Sequence, residues 1–285
     1  ASRSAATGRR MTDKAMESVA ELMREVATLE ILPRFRALSE GDIEEKSKGD
    51  YVTIADRNGE LWLTPRLEAL VPGSRVLGEE ATAKTPDLLS IVESAEPYWT
   101  VDPVDGTGNF VAGRDTFGVM IAFVETGIVR QAWIYLPVSG DMVMAELGAG
   151  AYLHATGKAS RLNAGQASDD VEKITGAFNV RFMNETWRDS VELFADTVPR
   201  KSTNLCSAWD YTELARGRQD LVTYHRMMPW DHAPGSLILR EAGGVLRSLD
   251  ADVDYRPATL GAPHLAARDE ASWQAYAQAI RALRV

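Results

Sequence analysis

The chain is poor in the residues that staple a fold or ligate soft metals. One cysteine, Cys206, occurs in 285 residues, which excludes an intrachain disulfide framework and any C-x-x-C motif. A lone thiol of this kind reads as a small buried hydrophobe. The four histidines, His154, His225, His232 and His264, fall in no H-E-x-x-H or other zinc spacing, so they read as surface or structural groups. Neither G-x-S-x-G nor a P-loop is present. Gly148 and Gly150 begin a dinucleotide fingerprint, but Leu153 stands where its third glycine belongs, which leaves them as turn glycines. There is no run of about 18 apolar residues, as a membrane-spanning helix requires, and the N-terminus lacks the apolar core of a signal peptide. The expectation is a soluble, cytoplasmic protein. Basic residues are the scarcer sign, 31 against 41 acidic, and the net charge of −10 argues against nucleic acid or an anionic membrane as a partner.

What the chain has in quantity is apolar surface, 45% of its residues, enough to bury a sizeable core in one large domain or two fused lobes. The most informative stretch runs from Tyr98 to Phe110, Y-W-T-V-D-P-V-D-G-T-G-N-F. Tyr98 to Val101 read as a buried strand, and Pro103, which has no N–H for the ladder, is expected to end it at Asp102. Asp102 and Asp105 then share one turn. Hard divalent cations such as Mg²⁺ take oxygen ligands and keep several waters, so a few convergent carboxylates with an open side suit them. The N–H groups of Gly106 and Thr107, with no side chain at Gly106 to obstruct approach, suit a phosphate oxygen. Asp-Gly after a proline is also ordinary turn chemistry, so this block decides nothing alone.

Two further acidic features lie too far away in sequence for a local turn to explain. Arg75 to Leu77 read as a short strand running into Gly78-Glu79-Glu80, and Pro229-Trp230-Asp231 precede a helical pattern closed by Gly243-Gly244. Asp231 reads as the residue that opens that helix. Taken singly, these are an N-cap and a solvated loop edge. Taken together, four acids at strand or helix ends beside apolar runs repel one another unless a cation or wide spacing intervenes.

With these blocks in view, the chain resembles the inositol monophosphatase family of metal-dependent, lithium-sensitive sugar phosphatases. Gly78-Glu79-Glu80, Asp102-Pro103-Val104-Asp105-Gly106-Thr107 and Trp230-Asp231 with Glu241-Ala242-Gly243-Gly244 carry the likeness, and Val52-Thr53-Ile54-Ala55-Asp56 adds a weaker match. The resemblance covers nearly the whole chain from about Met11. It implies a phosphomonoesterase that splits a small sugar or polyol phosphate by a metal-activated water, with two or three Mg²⁺ per site, as a homodimer. Glu79, Asp102 and the Val104 carbonyl would hold one Mg²⁺, and Asp102, Asp105 and Asp231 a second. Glu79 and Thr107 would orient and deprotonate the water, Asp56 would support the Thr107 hydroxyl, and Gly106 with Thr107 would bind phosphate. A lysine from the polar hinge, Lys46 or Lys48, would lie near the site.

Departures from the family pattern bear on the substrate. Gly108 stands where threonine or lysine is common. Tyr224 stands seven residues ahead of Asp231, where inositol-specific members often carry an acid. A tyrosine cannot take two hydroxyls as a carboxylate does. Histidinol phosphate or a nucleoside 3',5'-bisphosphate are therefore alternative substrates, with Tyr224, Trp209 and Arg181 as candidate pocket residues. A regulatory binding protein on the same fold is the reading from another class.

The resemblance implies an α-β-α-β-α layered sandwich of α+β and α/β character. The pattern agrees in outline. Met16 to Ala27 recur at helical spacing up to Pro33, and a second helix spans Arg57 to Leu70. From Phe117 a meander of strands with short turns argues an antiparallel sheet. Beyond Ser160 to Asp170, strands near Ile174 to Phe178, Ser202 to Leu205 and Leu221 to Tyr224 alternate with helices at Glu185 to Phe194 and Tyr211 to Arg216, an α/β pattern. We expect residues 1–10 to be a disordered leader or cloning remnant, 11–160 an N-terminal α+β lobe and 161–285 a mixed α/β lobe.

Overall fold

The apolar spacing of Val19, Ala20, Met23 and Val26 buries one face of α1 (Asp13–Val26), which continues as a π turn to Ile31 and a 3-10 turn at Leu32–Arg34 around Pro33. The computed structural model describes residues 13–167, 173–202 and 204–284. The expected leader, residues 1–10, lies outside the described residues, as do the last residues of the loop expected up to Asp170. A hairpin of β1 (Ile43–Ser47) and β2 (Asp50–Thr53) leads into α2 (Ile54–Leu70). That helix starts three residues before its expected beginning. Thr53 and Asp56 form a reciprocal capping box that satisfies its first N–H groups.

Seven strands form the larger sheet, in the order β3 (Arg75–Gly78), β4 (Tyr98–Asp105), β5 (Gly118–Glu125), β6 (Ile128–Leu136), β7 (Asp141–Glu146), β8 (Gly150–Ala155) and β9 (Lys158–Arg161). Only β3 and β4 run parallel; every other neighbouring pair is antiparallel. Alternation along β5 sets the two faces. Val119, Ile121 and Phe123 point to the α1 and α2 side, while Met120, Ala122 and Val124 join the core on the other side. β4 does not stop at Asp102, as proline chemistry suggests, but continues to Asp105. Asp102 faces Met120 and Asp105 faces Gly118, so one extra residue is accommodated at Pro103-Val104. A bulge of this kind tolerates a proline inside a paired strand.

The second sheet orders β11 (Arg200–Ser202), β10 (Thr175–Phe178), β12 (Leu221–Arg226), β14 (Gly261–Ala267) and β13 (Val245–Ser248), with β10 parallel to β11 and β12 and the rest antiparallel. Between the two sheets lie α6 (Ser207–Ala215) and α7 (Pro229–Glu241). Their Ala208, Tyr211, Leu214, Leu237 and Ile238 share one core with Met120 and Ile134 of the first sheet and Val222 and Ala266 of the second. The outer face of the second sheet is covered by α5 (Glu185–Thr197) and α8 (Glu270–Ala282) through Trp187, Val191, Trp273 and Ile280. The layers therefore run α, β, α, β, α. Among the described residues no helix is long and apolar enough to cross a membrane.

Several local expectations shift. Met228 is the N-cap of α7 and Pro229 its first residue, so Asp231 sits inside the first turn and does not open the helix. The strand expected at Ser202 to Leu205 lies at Arg200–Ser202, because Leu205 adopts a left-handed φ of 50° that breaks extension. β9 occupies the start of a segment expected to be loop. It is an edge strand, exposed throughout and without an apolar face, so no alternation announces it. The sequence pattern assigns nothing to β13, β14 and α8.

Candidate active site

β3 and β4 are parallel neighbours, so their C-terminal ends open on the same edge of the sheet. Glu79 follows β3 as the first residue of α3 (Glu79–Lys84), and Asp102 and Asp105 lie in the buried end of β4. Asp231 comes down from the first turn of α7, where the positive end of the helix dipole favours a carboxylate. Ligand oxygens of Glu79, Asp102 and Asp231 lie within 4.8 Å of one another. Burial pushes the Asp102 and Asp231 carboxyls well above their usual range, and the charge of Glu79 adds to it in both. Glu79 is raised by burial too, with Lys46 opposing. An anionic, all-oxygen set that repels itself in a buried place fits a hard divalent cation, whose charge removes the repulsion.

The surroundings hold this set in place. Lys46 of β1 reaches Glu79 Oε1 at 3.1 Å and Glu80 Oε1 at 2.8 Å. Burial works to lower the ammonium, yet the two glutamates outweigh it and hold it above its ordinary range. Lys48 does not take this place; its backbone carbonyl accepts from Arg181 instead. Asp56 is buried and accepts from the Thr53 N–H at 2.8 Å, the Thr53 hydroxyl at 2.5 Å and the Thr107 hydroxyl at 3.0 Å. Burial lifts its carboxyl to about 7. Thr107 Oγ1 is also 3.0 Å from the Val104 carbonyl, so its single proton has two acceptors. Gly106 adopts a φ of +84°, and a Cβ there would meet Thr116 O at 3.0 Å and Cys206 Cβ at 3.1 Å. Only glycine makes this turn without strain.

Asp105 is tied differently. Its Oδ2 accepts from the Ala208 N–H at 2.7 Å and the Cys206 thiol at 2.8 Å, which caps the N-terminus of α6 from across the site. Cys206 is buried as expected, but as a donor to an acid of the site. Desolvation pushes its thiol well up, so it stays protonated.

Glu60 carries no motif signal. Its carboxylate accepts from Glu80 N at 2.7 Å and Ala81 N at 2.8 Å, capping α3 and so fixing where Glu79 points. A Cβ on Gly78 would collide with it. Asp56 and Glu60 are four apart on the buried face of α2, beside Leu63 and Leu67. Two acids on an apolar helical face are the signal that finds it. Glu60→Ala is expected to cost about 1–3 kcal/mol of stability and about 10–100-fold in divalent-cation affinity, read by chemical denaturation and calorimetric titration. Unchanged affinity would leave Glu60 a purely structural cap.

A second buried acid, Asp210, accepts from Asn204 Nδ2 at 3.2 Å, and burial lifts it to about 7 from 3.8. The folded chain holds this proton more tightly than the unfolded one. Its stabilisation is therefore complete below pH 3.8 and is lost as pH rises through about 7, at most about 4 kcal/mol. Asp210→Asn should flatten the fall of Tm between about pH 4 and 7; an unaltered slope would contradict the assignment.

Glu79, Asp102, Asp105, Asp231 and Thr107 line a cleft of about 690 Å³, together with Tyr51, Phe178, Phe182, Leu205, Arg181 and Tyr224. Of the candidate pocket residues, Tyr224 and Arg181 line it and Trp209 does not: it is half-buried on α6 against the central core. Tyr224 stacks on Tyr211 at 5.5 Å and meets His232 edge-on at 4.7 Å, and its buried hydroxyl has no partner among the described residues. His232 is structural, held between Tyr211 Oη and the Arg226 carbonyl, and burial lowers it to about 3. Gly148 lies in a turn as expected, while Gly150 begins β8; their N–H groups donate to Glu241 at 2.8 and 2.9 Å.

A five-layer sandwich with Glu79 and Asp102 at the ends of adjacent parallel strands, joined by Asp231 from a helix, defines an α+β protein with an acidic cluster that could hold a metal ion. The chain belongs to the inositol monophosphatase family, whose profile matches residues 13–284. It is 31% identical over 214 residues to an inositol-1-monophosphatase of Bacillus subtilis, covering 74% of this chain and 77% of that one. A putative Nus factor SuhB of Neisseria meningitidis is 27% identical, over 73% and 77% of the two chains. A solved IMPase/NADP phosphatase complexed with Mg²⁺ and phosphate superposes with a TM-score of 0.75 at 20% identity, over 94% of each chain.

Proposed function

We propose that the chain is a Mg²⁺-dependent phosphomonoesterase that hydrolyses a small sugar- or polyol-type phosphate to the alcohol and inorganic phosphate. The observation that carries this reading is the convergence of Glu79, Asp102 and Asp231 within 4.8 Å, in a cleft that Thr107 also lines. The metal-dependent family and the Mg²⁺ and phosphate bound by the solved relative support it. Glu79, Asp102 and the Val104 carbonyl would hold one cation, and Asp102, Asp105 and Asp231 another. Bound there, the cations supply Lewis-acid polarisation of the phosphoryl group, acidify the attacking water and neutralise charge at the leaving oxygen.

The chain supplies the rest. The backbone N–H groups of Gly106 and Thr107 cradle the phosphate. The Thr107 hydroxyl, oriented by Asp56, aligns the water, and Glu79, positioned by Lys46 and by the Glu60 cap, takes its proton. Asp105 commits one carboxylate oxygen to α6 and keeps the other for the site. No side chain need form a covalent bond to phosphorus. Most of the barrier is met by positioning and electrostatics.

The name of the Neisseria relative raises a binding role as a second reading. A pure binding module has no physical reason to hold three acids, one buried and two half-buried, within 4.8 Å of one another, so turnover stands first. The test is release of inorganic phosphate from inositol phosphate, histidinol phosphate, fructose bisphosphate and adenosine 3',5'-bisphosphate. Chelator-sensitive turnover with one substrate far ahead is expected. No release from any of them would favour the binding reading.

A further inference from the structure

The cleft that holds the acids is also lined by Arg114, Arg181, Arg226 and His225, in a chain of net charge −10. Arg226 ends β12, and Arg181 follows the end of β10, its parallel neighbour, so both leave the second sheet at the same edge. Their guanidinium carbons lie 5.4 and 5.1 Å from the centroid of the Phe182 ring, close enough for cation–π attraction to hold both in place. Arg181 donates across the cleft mouth to the carbonyls of Lys48 and Gly49. Arg226 is 3.8 Å from Asp50, too far for a hydrogen bond. Among the described residues its guanidinium donates none. Its charge is felt by Asp231, yet it forms no ion pair with any acid of the cluster.

The chemistry of this wall is one-sided. A guanidinium offers five N–H donors and no acceptor. Tyr224, 4% exposed as a residue, lines the same cleft, and its hydroxyl, without a partner among the described residues, has a proton to donate. A polyol's hydroxyls each need an acceptor as well as a donor, and the guanidiniums that dominate this wall supply donors alone. An oxyanion needs donors only, and a planar guanidinium grips one through two parallel bonds. The aspartate and glutamate charges of the cluster are taken up by cations in the phosphatase reading, which leaves Asp50, in ion-pair range of Arg226 at 3.8 Å, as the acid of the cleft that an incoming oxyanion must displace.

We propose that the alcohol half of the substrate carries a second oxyanion, a carboxylate or a second phosphate, gripped by Arg226 and Arg181 with the Tyr224 hydroxyl. The proposal rests on the phosphatase reading for the position of the first phosphate. It makes the donor wall a specificity device that separates doubly anionic substrates from simple polyol phosphates.

Two matched pairs test it: 3-phosphoglycerate against glycerol 3-phosphate, and fructose 1,6-bisphosphate against fructose 1-phosphate. For each, kcat/KM is measured with Mg²⁺ and Kd is measured by calorimetry with Ca²⁺ in its place. A preference of about 10–100-fold for the second anion is expected in one pair, as for a charged hydrogen-bonded contact. The pair that shows it says whether the anion is carboxylate or phosphate. Arg226→Met and Arg181→Met should each shrink the preference severalfold, with Arg226→Lys recovering part of it. Ratios at or below one in both pairs, no binding by any of the four, or a preference that survives both methionine variants would overturn the inference. Preferential binding without turnover would keep it and sink the phosphatase reading; turnover without preference would do the reverse.

Discussion

Thr107→Ala is expected to lower phosphate release by about 10²–10⁴-fold while leaving divalent-cation binding close to that of the unaltered chain. The hydroxyl is the only part of the residue that reaches Asp56 and the Val104 carbonyl, each at 3.0 Å. Its removal leaves the carboxylate cluster and the turn at Gly106 untouched. The loss should appear in kcat with little change in KM, because an interaction that aligns the water matters most in the transition state. Thr107→Ser, which keeps the hydroxyl, should recover most of the rate. Calorimetric titration of the cation and steady-state kinetics on the same preparation separate the two effects. Equal turnover by the alanine variant would remove Thr107 from the mechanism.

Asp231→Asn should have the larger effect on cation binding. It keeps the shape of the side chain and removes a charge from the trio within 4.8 Å. Turnover should fall by about 10³-fold or more, since each tenfold corresponds to about 1.4 kcal/mol and a ligated charge supplies several. The same change should stabilise the cation-free protein. Asp231 raises the Asp102 carboxyl, and Glu79 and Asp105 raise that of Asp231, beyond what burial alone does, and an amide relieves that repulsion. A variant with a higher Tm in chelator, no Tm rise on adding Mg²⁺ and negligible turnover is the expected pattern. It exchanges stability against function at a single residue. A variant that still gains Tm with Mg²⁺ would place the cation elsewhere.

How much of this was legible in the sequence depended on whether a residue's role was local. Asp102, Glu79 and Asp231 announce themselves because each acid sits at a strand or helix end beside an apolar run, and the structure brings the three together. The meander from Phe117 to Leu153 was readable because alternation and glycine turns are short-range signals. Roles that act through long-range contacts were not readable. Glu60 works by capping a helix twenty residues away, and Cys206 by donating to an acid a hundred and one positions earlier. Trp209 is the kind of residue that lines pockets, but its place on α6 leaves it half-buried against the central core and off the cleft. The bulge at Pro103 needs a neighbouring strand to exist at all, so a rule about isolated strands ended β4 too soon. β9 has four exposed residues and no apolar side, and β13, β14 and α8 lie beyond any motif.

The most direct test of the central claim, that the acidic cluster holds the cation on which hydrolysis depends, is phosphate release across a cycle of chelation and Mg²⁺ return with the best substrate found. The account predicts release that vanishes in chelator and returns along a saturable Mg²⁺ curve. Release that persists in chelator at the full rate would contradict it.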